Sequence, residues 1–180
     1  MVFTDKSHFN WLTLRRPYAW SLRGKRACRF KFFLQGTKYS ILPTLSLDCI
    51  LHLEVVEDTI TGDIFRQFVA GLLPLMNKFP LPNSVLVIDN ASIHKVAGIH
   101  EMVEEHSACL LFLPPYSPDF NPIELAFSTI KTWLRSNRDV VHHKLDDVDG
   151  SVYDAFWQAI HSIMAEQAKG WYKHCGYIEA

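Results

Sequence analysis

The sequence predicts an α/β fold built on a mixed sheet. Three observations carry this reading. Apolar, β-branched runs at Tyr39 to Leu45 and Ile50 to Val56 have the length of paired strands. Two nearly continuous apolar runs follow, at Ser84 to Ile88 and Cys109 to Leu113. Segments with helical periodicity alternate with these runs later in the chain.

Taken in order, Val2-Phe3-Thr4-Asp5 reads as a first strand that begins almost at the first residue, as in a domain cut from a longer chain. The next two runs, split by Asp48-Cys49, predict a hairpin. Ile64, Phe65, Phe68, Val69, Leu72 and Leu73 follow helical spacing, with Thr61 as N-cap and Pro74 weakening the far end. Ser84 to Ile88 is bounded by turn residues and predicts a strand buried on both faces. Val96, Ile99 and Val103 suggest a short helix. Cys109 to Leu113 predicts another buried strand, stopped by Pro114-Pro115. Ile123, Phe127, Ile130 and Leu134 recur as the stripe of an amphipathic helix. Arg135 to Gly150 is polar and charged and reads as a loop, with residues 136–150 leading to the C-terminal helix. Val152, Phe156, Ala159, Ile160 and Ile163 predict that last helix.

With 180 residues, 48% of them apolar, the chain can bury one sizeable core. No apolar run approaches the ~18 residues that span a bilayer, and the N-terminus lacks a signal-peptide layout. The expectation is a soluble intracellular protein without a membrane partner, in the nucleus of a eukaryote or otherwise in the cytoplasm. Cys28, Cys49, Cys109 and Cys175 form no C-x-x-C pair, which favours reduced thiols. No Cys/His spacing, including His142-His143 and His174-Cys175, fits a zinc pattern.

The net charge of −1 hides a strong segregation. Between Lys6 and Leu47 there is no Asp or Glu, while that stretch holds nine of the 18 Lys and Arg residues, Arg15, Arg16, Arg23, Lys25 and Arg26 among them. Aromatics such as Trp11 and Trp20 interleave with them. A basic, aromatic stretch suits a polyanion, and it equally suits a solvated basic hairpin.

Two carboxylates fall at predicted strand ends, where open α/β sheets place ligands. Asp89 follows Ser84 to Ile88, and Asp5 closes the first strand. If those strands are parallel neighbours, the two acids emerge side by side and repel unless a cation sits between them. Asp-Asn after a strand is also an ordinary Asx turn. A third acid, Glu124, lies in Asn121-Pro122-Ile123-Glu124, which fits the N-cap, N1 and N3 positions of a helix and so a capping box. Capping and metal ligation are alternatives that the local pattern leaves open. Ser128, Lys131 and Arg135 share the polar face of Glu124. His94 suits a structural contact or a site contact, Asp119 is a rival third acid, and Trp133 suits core packing.

DNASIH at 89–94, LPPYSPDFNPIE at 113–124 and FSTIKTWLR at 127–135 resemble the DDE endonuclease domain of the mariner superfamily of transposases. VFTDKS, WSLRGKR, YSILPTLSLDCIL and the tail GWYKHCGY resemble further segments of it, so the likeness covers nearly the whole chain. The 34 residues between Asp89 and Glu124 (124 − 89 − 1) match a spacing found there. The resemblance implies a ribonuclease-H-like fold with a five-stranded mixed sheet flanked by helices. It implies DNA as the partner, a homodimer as a possible assembly, and metal-dependent DNA cleavage and strand transfer. It also implies two divalent ions, Mg2+ or Mn2+, with Asp5, Asp89 and Glu124 as both catalytic residues and metal ligands. DNA contacts are expected from Arg15, Arg16, Arg23, Lys25, Arg26, Lys131 and Arg135. The chain departs from the family in two ways. Lys6 stands where an acidic residue is usual, and the helix-turn-helix domains that read transposon ends have no counterpart in it. The alternative reading is an inactive transposon remnant that only binds nucleic acid or protein.

Overall fold

The computed structural model describes residues 1–9, 20–26, 38–91, 97–137 and 151–179. The expectations for Trp11, Arg15, Arg16, Cys28, His94, Val96 and the polar stretch 138–150 lie outside the described residues.

The first strand is broken in two. Val2–Thr4 (β1) and Ser7–Phe9 (β2) both pair antiparallel with Tyr39–Leu45 (β3), in one continuous register. Carried through the gap, that register sets Asp5 opposite Pro43 and Lys6 opposite Leu42. The Pro43 carbonyl accepts from the Thr4 hydroxyl at 2.8 Å, so it faces β1. In an antiparallel strand the nitrogen of a residue faces the same way as its carbonyl, and the Pro43 nitrogen carries no proton. The ladder therefore loses a rung where Asp5 sits.

Across β3, the strand Ile50–Glu57 (β4) completes the predicted hairpin. On the far side β1 pairs parallel with Val85–Ile88 (β5), which pairs parallel with Cys109–Phe112 (β6). Six strand segments thus fill five positions of one mixed sheet, with β4 and β6 at its edges. The reading of Cys109 to Leu113 as a buried strand is corrected by this placement. On the open edge, Leu111 and Phe112 are 52% and 42% exposed, whereas the neighbouring β5 keeps Leu86, Val87 and Ile88 buried.

Strand alternation sends side chains to two cores. Val2, Leu42, Leu86 and Ile88 meet Gly62–Leu72 (α1) and Ile99–Glu105 (α2). Phe3, Phe9, Ile41 and Val87 meet Pro122–Ser136 (α3), Ser151–His161 (α4) and Ala165–His174 (α5). The Thr61 hydroxyl caps α1 by accepting from the Ile64 amide, and Pro74 turns the end of α1 into a single 3-10 turn over Leu73–Leu75. Arg135 and Ser136 belong to α3 and not to the expected loop, because the apolar stripe runs on through Leu134. The single predicted last helix is two. Ile163 lies between them and is buried, and α5 was not anticipated. Trp133 packs, partly buried, against the core as expected.

The final helix ties distant parts together. The buried Tyr172 hydroxyl lies 2.9 Å from the Leu45 carbonyl and 3.1 Å from that of Met1. Burial, followed by Tyr177 and Asp48, pushes this phenol well above its ordinary range. Tyr177 donates to the Phe120 carbonyl at 2.7 Å and packs on Phe3.

Candidate active site

Phe3 and Val87 are register partners on adjacent parallel strands and point into the same core. Two residues further on, alternation brings Asp5 and Asp89 to that same face, side by side, above the start of α3. Both line a cavity of about 490 Å³. Its other walls are Asn90 and Ala91, the Leu113 to Pro118 loop, and Asn121 and Glu124 at the start of α3. The three sequence-predicted acids thus share one cavity. They do not stand at coordinating distance as placed, since among the described residues no three His, Cys, Asp or Glu side chains are close enough to hold an ion.

Asp5 is buried, and its oxygens are met by N–H groups. The Lys6 amide donates to Oδ1 at 2.7 Å and Asn121 Nδ2 donates to Oδ2 at 3.0 Å. Such donors offset part of the cost of burying a carboxylate. Asp89 Oδ1 accepts from the Ala91 amide at 3.0 Å, an Asx turn that orients it. Glu124 is exposed on α3. The capping box does not form. Asn121 makes no side-chain cap, and its own amide donates to the Pro118 carbonyl, leaving Glu124 no partner there.

Lys6 follows Asp5 directly, in the gap between β1 and β2. If the alternation of β2 is continued back through the gap, Lys6 falls on the face of His8. Burial, then Lys6 and Lys38, lowers the His8 pKa. The backbone amide of Lys6 meets Asp5.

Among the described basic candidates, Lys131 shares α3 with Glu124. Its ammonium lies 5.7 Å from the Phe9 ring centre and 6.0 Å from that of Phe127, two turns along α3 from Glu124. Arg135 follows one turn later, half-buried. Arg23, Lys25, Arg26 and Trp20 are exposed on the 20–26 segment. Sequence reasoning missed Asn121 as a partner of Asp5, and it missed the wall formed by Pro114, Pro115 and Tyr116. The ring of Tyr116 is fully exposed at the cavity on a backbone with φ 57°. The run of prolines before α3, which forbids a helix there, was the available signal.

Among solved structures, the fold is similar to the Mos1 transposase paired-end complex with left transposon end. The TM-score is 0.61 at 18% identity, over 99% of this chain and 56% of that one. It is similar to the Mos1 transposase catalytic domain with raltegravir and Mg, at TM-score 0.52 and 15% identity, over 99% of this chain and 85% of that one. A chain of a simian T-cell lymphotropic virus intasome complex matches at TM-score 0.56 and 14% identity, over 87% of this chain and 46% of that one. The chain thus spans about half the length of the Mos1 chains in the transposon-end complexes, and shares with them the ribonuclease-H-like fold. No curated protein matches it. The sequence model of the family described as DDE superfamily endonuclease matches residues 1–144, which include Asp5, Asp89 and Glu124, and by that match the chain belongs to this family.

Proposed function

We propose that this chain is the catalytic domain of a mariner-type transposase, cutting DNA and joining strands by phosphoryl transfer with two divalent ions. The observation that carries the reading is the shared cavity: Asp5 and Asp89 at the ends of adjacent parallel strands, with Glu124 on the first turn of α3. The donor set fits a hard cation. Among the described residues its lining offers carboxylate, amide and hydroxyl oxygens and no Cys or His. Mos1 complexes solved with Mn and with Mg support the choice of ion.

Asp5, Asp89 and Glu124 would hold the ions. When bound, these supply activation of the attacking oxygen and neutralisation of charge at phosphorus. The chain's own residues do the positioning. Two N–H donors fix Asp5, an Asx turn fixes Asp89, and Glu124 rides a helix whose apolar stripe is buried. Glu124 is exposed and uncapped, so its side chain is free to turn toward the other two. Lys131 and Arg135 extend from the site along α3 and offer charge to a DNA backbone passing over it.

The test is nicking of supercoiled plasmid in Mg2+ or Mn2+ and in chelator. The expected result is metal-dependent nicking with little site preference, lost in Asp89→Asn. Equal nicking by both proteins, or none at any metal concentration, would leave the binding-only remnant as the better reading.

A further inference from the structure

We propose that Asn121 is a positioning residue. Its carboxamide ties Asp5 to the first turn of α3 and so sets where Glu124 stands relative to Asp5. The functional meaning of the tie rests on the reading of the cavity given above, but the tie itself does not.

Asn121 occupies the N-cap of α3, in extended conformation. An Asn there ordinarily turns its side-chain oxygen onto the N2 or N3 amide. This one does not. The Glu124 amide, at N3, bonds instead to the backbone carbonyl of Asn121 at 3.1 Å. The side chain reaches across 116 positions of sequence, and Nδ2 donates to Asp5 Oδ2 at 3.0 Å. Both residues are deeply buried, Asn121 at 4% exposure and Asp5 at 7%.

The arrangement leaves Asn121 Oδ1 buried with no hydrogen-bond partner. The direction of the amide explains which atom is stranded. Turned over, it would set a carbonyl oxygen against the Asp5 carboxylate, which has no proton to give when ionised. Asn121 therefore gives up its cap and strands an acceptor, and each is unfavourable for stability. Departures of this kind from local rules concentrate at functional positions.

The tie is rigid enough to carry position. Pro122 disfavours a helical conformation for the residue before it, which holds Asn121 extended. The turn just before it is pinned by Tyr177 on the Phe120 carbonyl. Glu124 follows within one turn of a helix buried along its stripe. A displacement of Asp5 is thereby a displacement of the helix start, and the two carboxylates keep their relation although neither touches the other's strand or helix in sequence.

The experiment has two readouts. Urea unfolding in chelator is measured for wild type, Asp5→Ala, Asn121→Ser and the double variant. Serine still caps a helix, but its hydroxyl is too short to reach Asp5. The single effects should fall short of additivity by at least about fivefold in the unfolding constant, and agreement within about twofold overturns the tie. Mn2+ binding is then measured from the free-ion paramagnetic resonance signal for wild type, Asn121→Ser and Asp89→Asn. Asn121→Ser should bind roughly tenfold more weakly than wild type, as expected for a partner that orients a ligand. Unchanged affinity overturns the positioning role. If wild type and Asp89→Asn bind Mn2+ alike, the reading of the cavity fails, and the metal-free cycle alone then decides the tie.

Discussion

Replacing Glu124 with Gln tests the ligand role that remains once the structure shows no capping box. Gln serves in a capping box as well as Glu does, so a cap role predicts no change with or without metal. Glu124 sits at N3 of α3 and is exposed. Its charge there gains roughly 0.5 kcal/mol from the helix dipole, and removing it also relieves repulsion from Asp5 and Asp89 in the same cavity. In chelator the variant should melt within about 2 °C of wild type, since 1 kcal/mol moves a chain of this size by roughly 2–4 °C. Metal changes the picture. At a Mn2+ concentration a hundred times its Kd, binding stabilises the wild type by about 2.7 kcal/mol, or roughly 5–11 °C. Loss of one of three anionic donors, taken as about tenfold in affinity, leaves about 1.4 kcal/mol and roughly half that shift. Thermal melting with and without Mn2+ measures both numbers. Equal shifts in the two proteins, or no shift in wild type, would refute the ligand role of Glu124.

Lys131→Ala should weaken DNA binding alike for every sequence and lower the slope of log affinity against log salt by about 0.9, measured by fluorescence anisotropy across a salt series; an unchanged slope removes Lys131 from the DNA path. Tyr172→Phe should keep the ring contact with Phe3 but lose the buried hydrogen bond to the Leu45 carbonyl, costing about 1 kcal/mol by urea unfolding. The raised phenol gives a stabilisation present below its ordinary value of 10.0 and lost as pH rises beyond it, so the variant should lose less stability than wild type in alkali. His52 is lowered by burial against α1, with Glu54 opposing. Its contribution is present above the ordinary value of 6.5 and fades as pH falls through the lowered one. A His52→Gln melting curve should therefore be flatter than wild type between neutral and mildly acid pH.

Local patterns carried much of this fold. Thr61 announced the start of α1, and Pro74 its end, because caps and prolines act on the backbone within one turn. The apolar stripe from Ile123 to Leu134 gave α3 its buried face. Asp5 and Asp89 were legible as strand-end acids, conditional on a parallel pairing that the β1–β5 register supplies. What stayed hidden was set by distance in sequence. Asn121 reads as a cap because nothing within several residues shows that Asp5 competes for its amide. Cys109 to Phe112 reads as buried because hydrophobicity does not say which strand is last in the sheet. Lys6 reads as a neighbour of Asp5, although the alternation of β2, if continued back through the gap, puts it on the face of His8.

Tyr172, whose hydroxyl reaches the carbonyls of Met1 and Leu45, bears on how the protein comes into being on the ribosome. The central strand β1 is made before its partner β5, before Asn121, which holds Asp5, and before Tyr172, 171 positions after Met1. Residues 151–179, which supply Phe156, Ala159, Ile160, Ala168 and Tyr172 to the core, lie beyond the segment matched by the family at 1–144. A nascent chain stalled at residue 144 would hold all three acids yet lack two of the three helices that pack against Phe3, Phe9 and Val87. The cutting chemistry proposed for this domain would then depend on residues 151–179 having emerged as well as on the three acids.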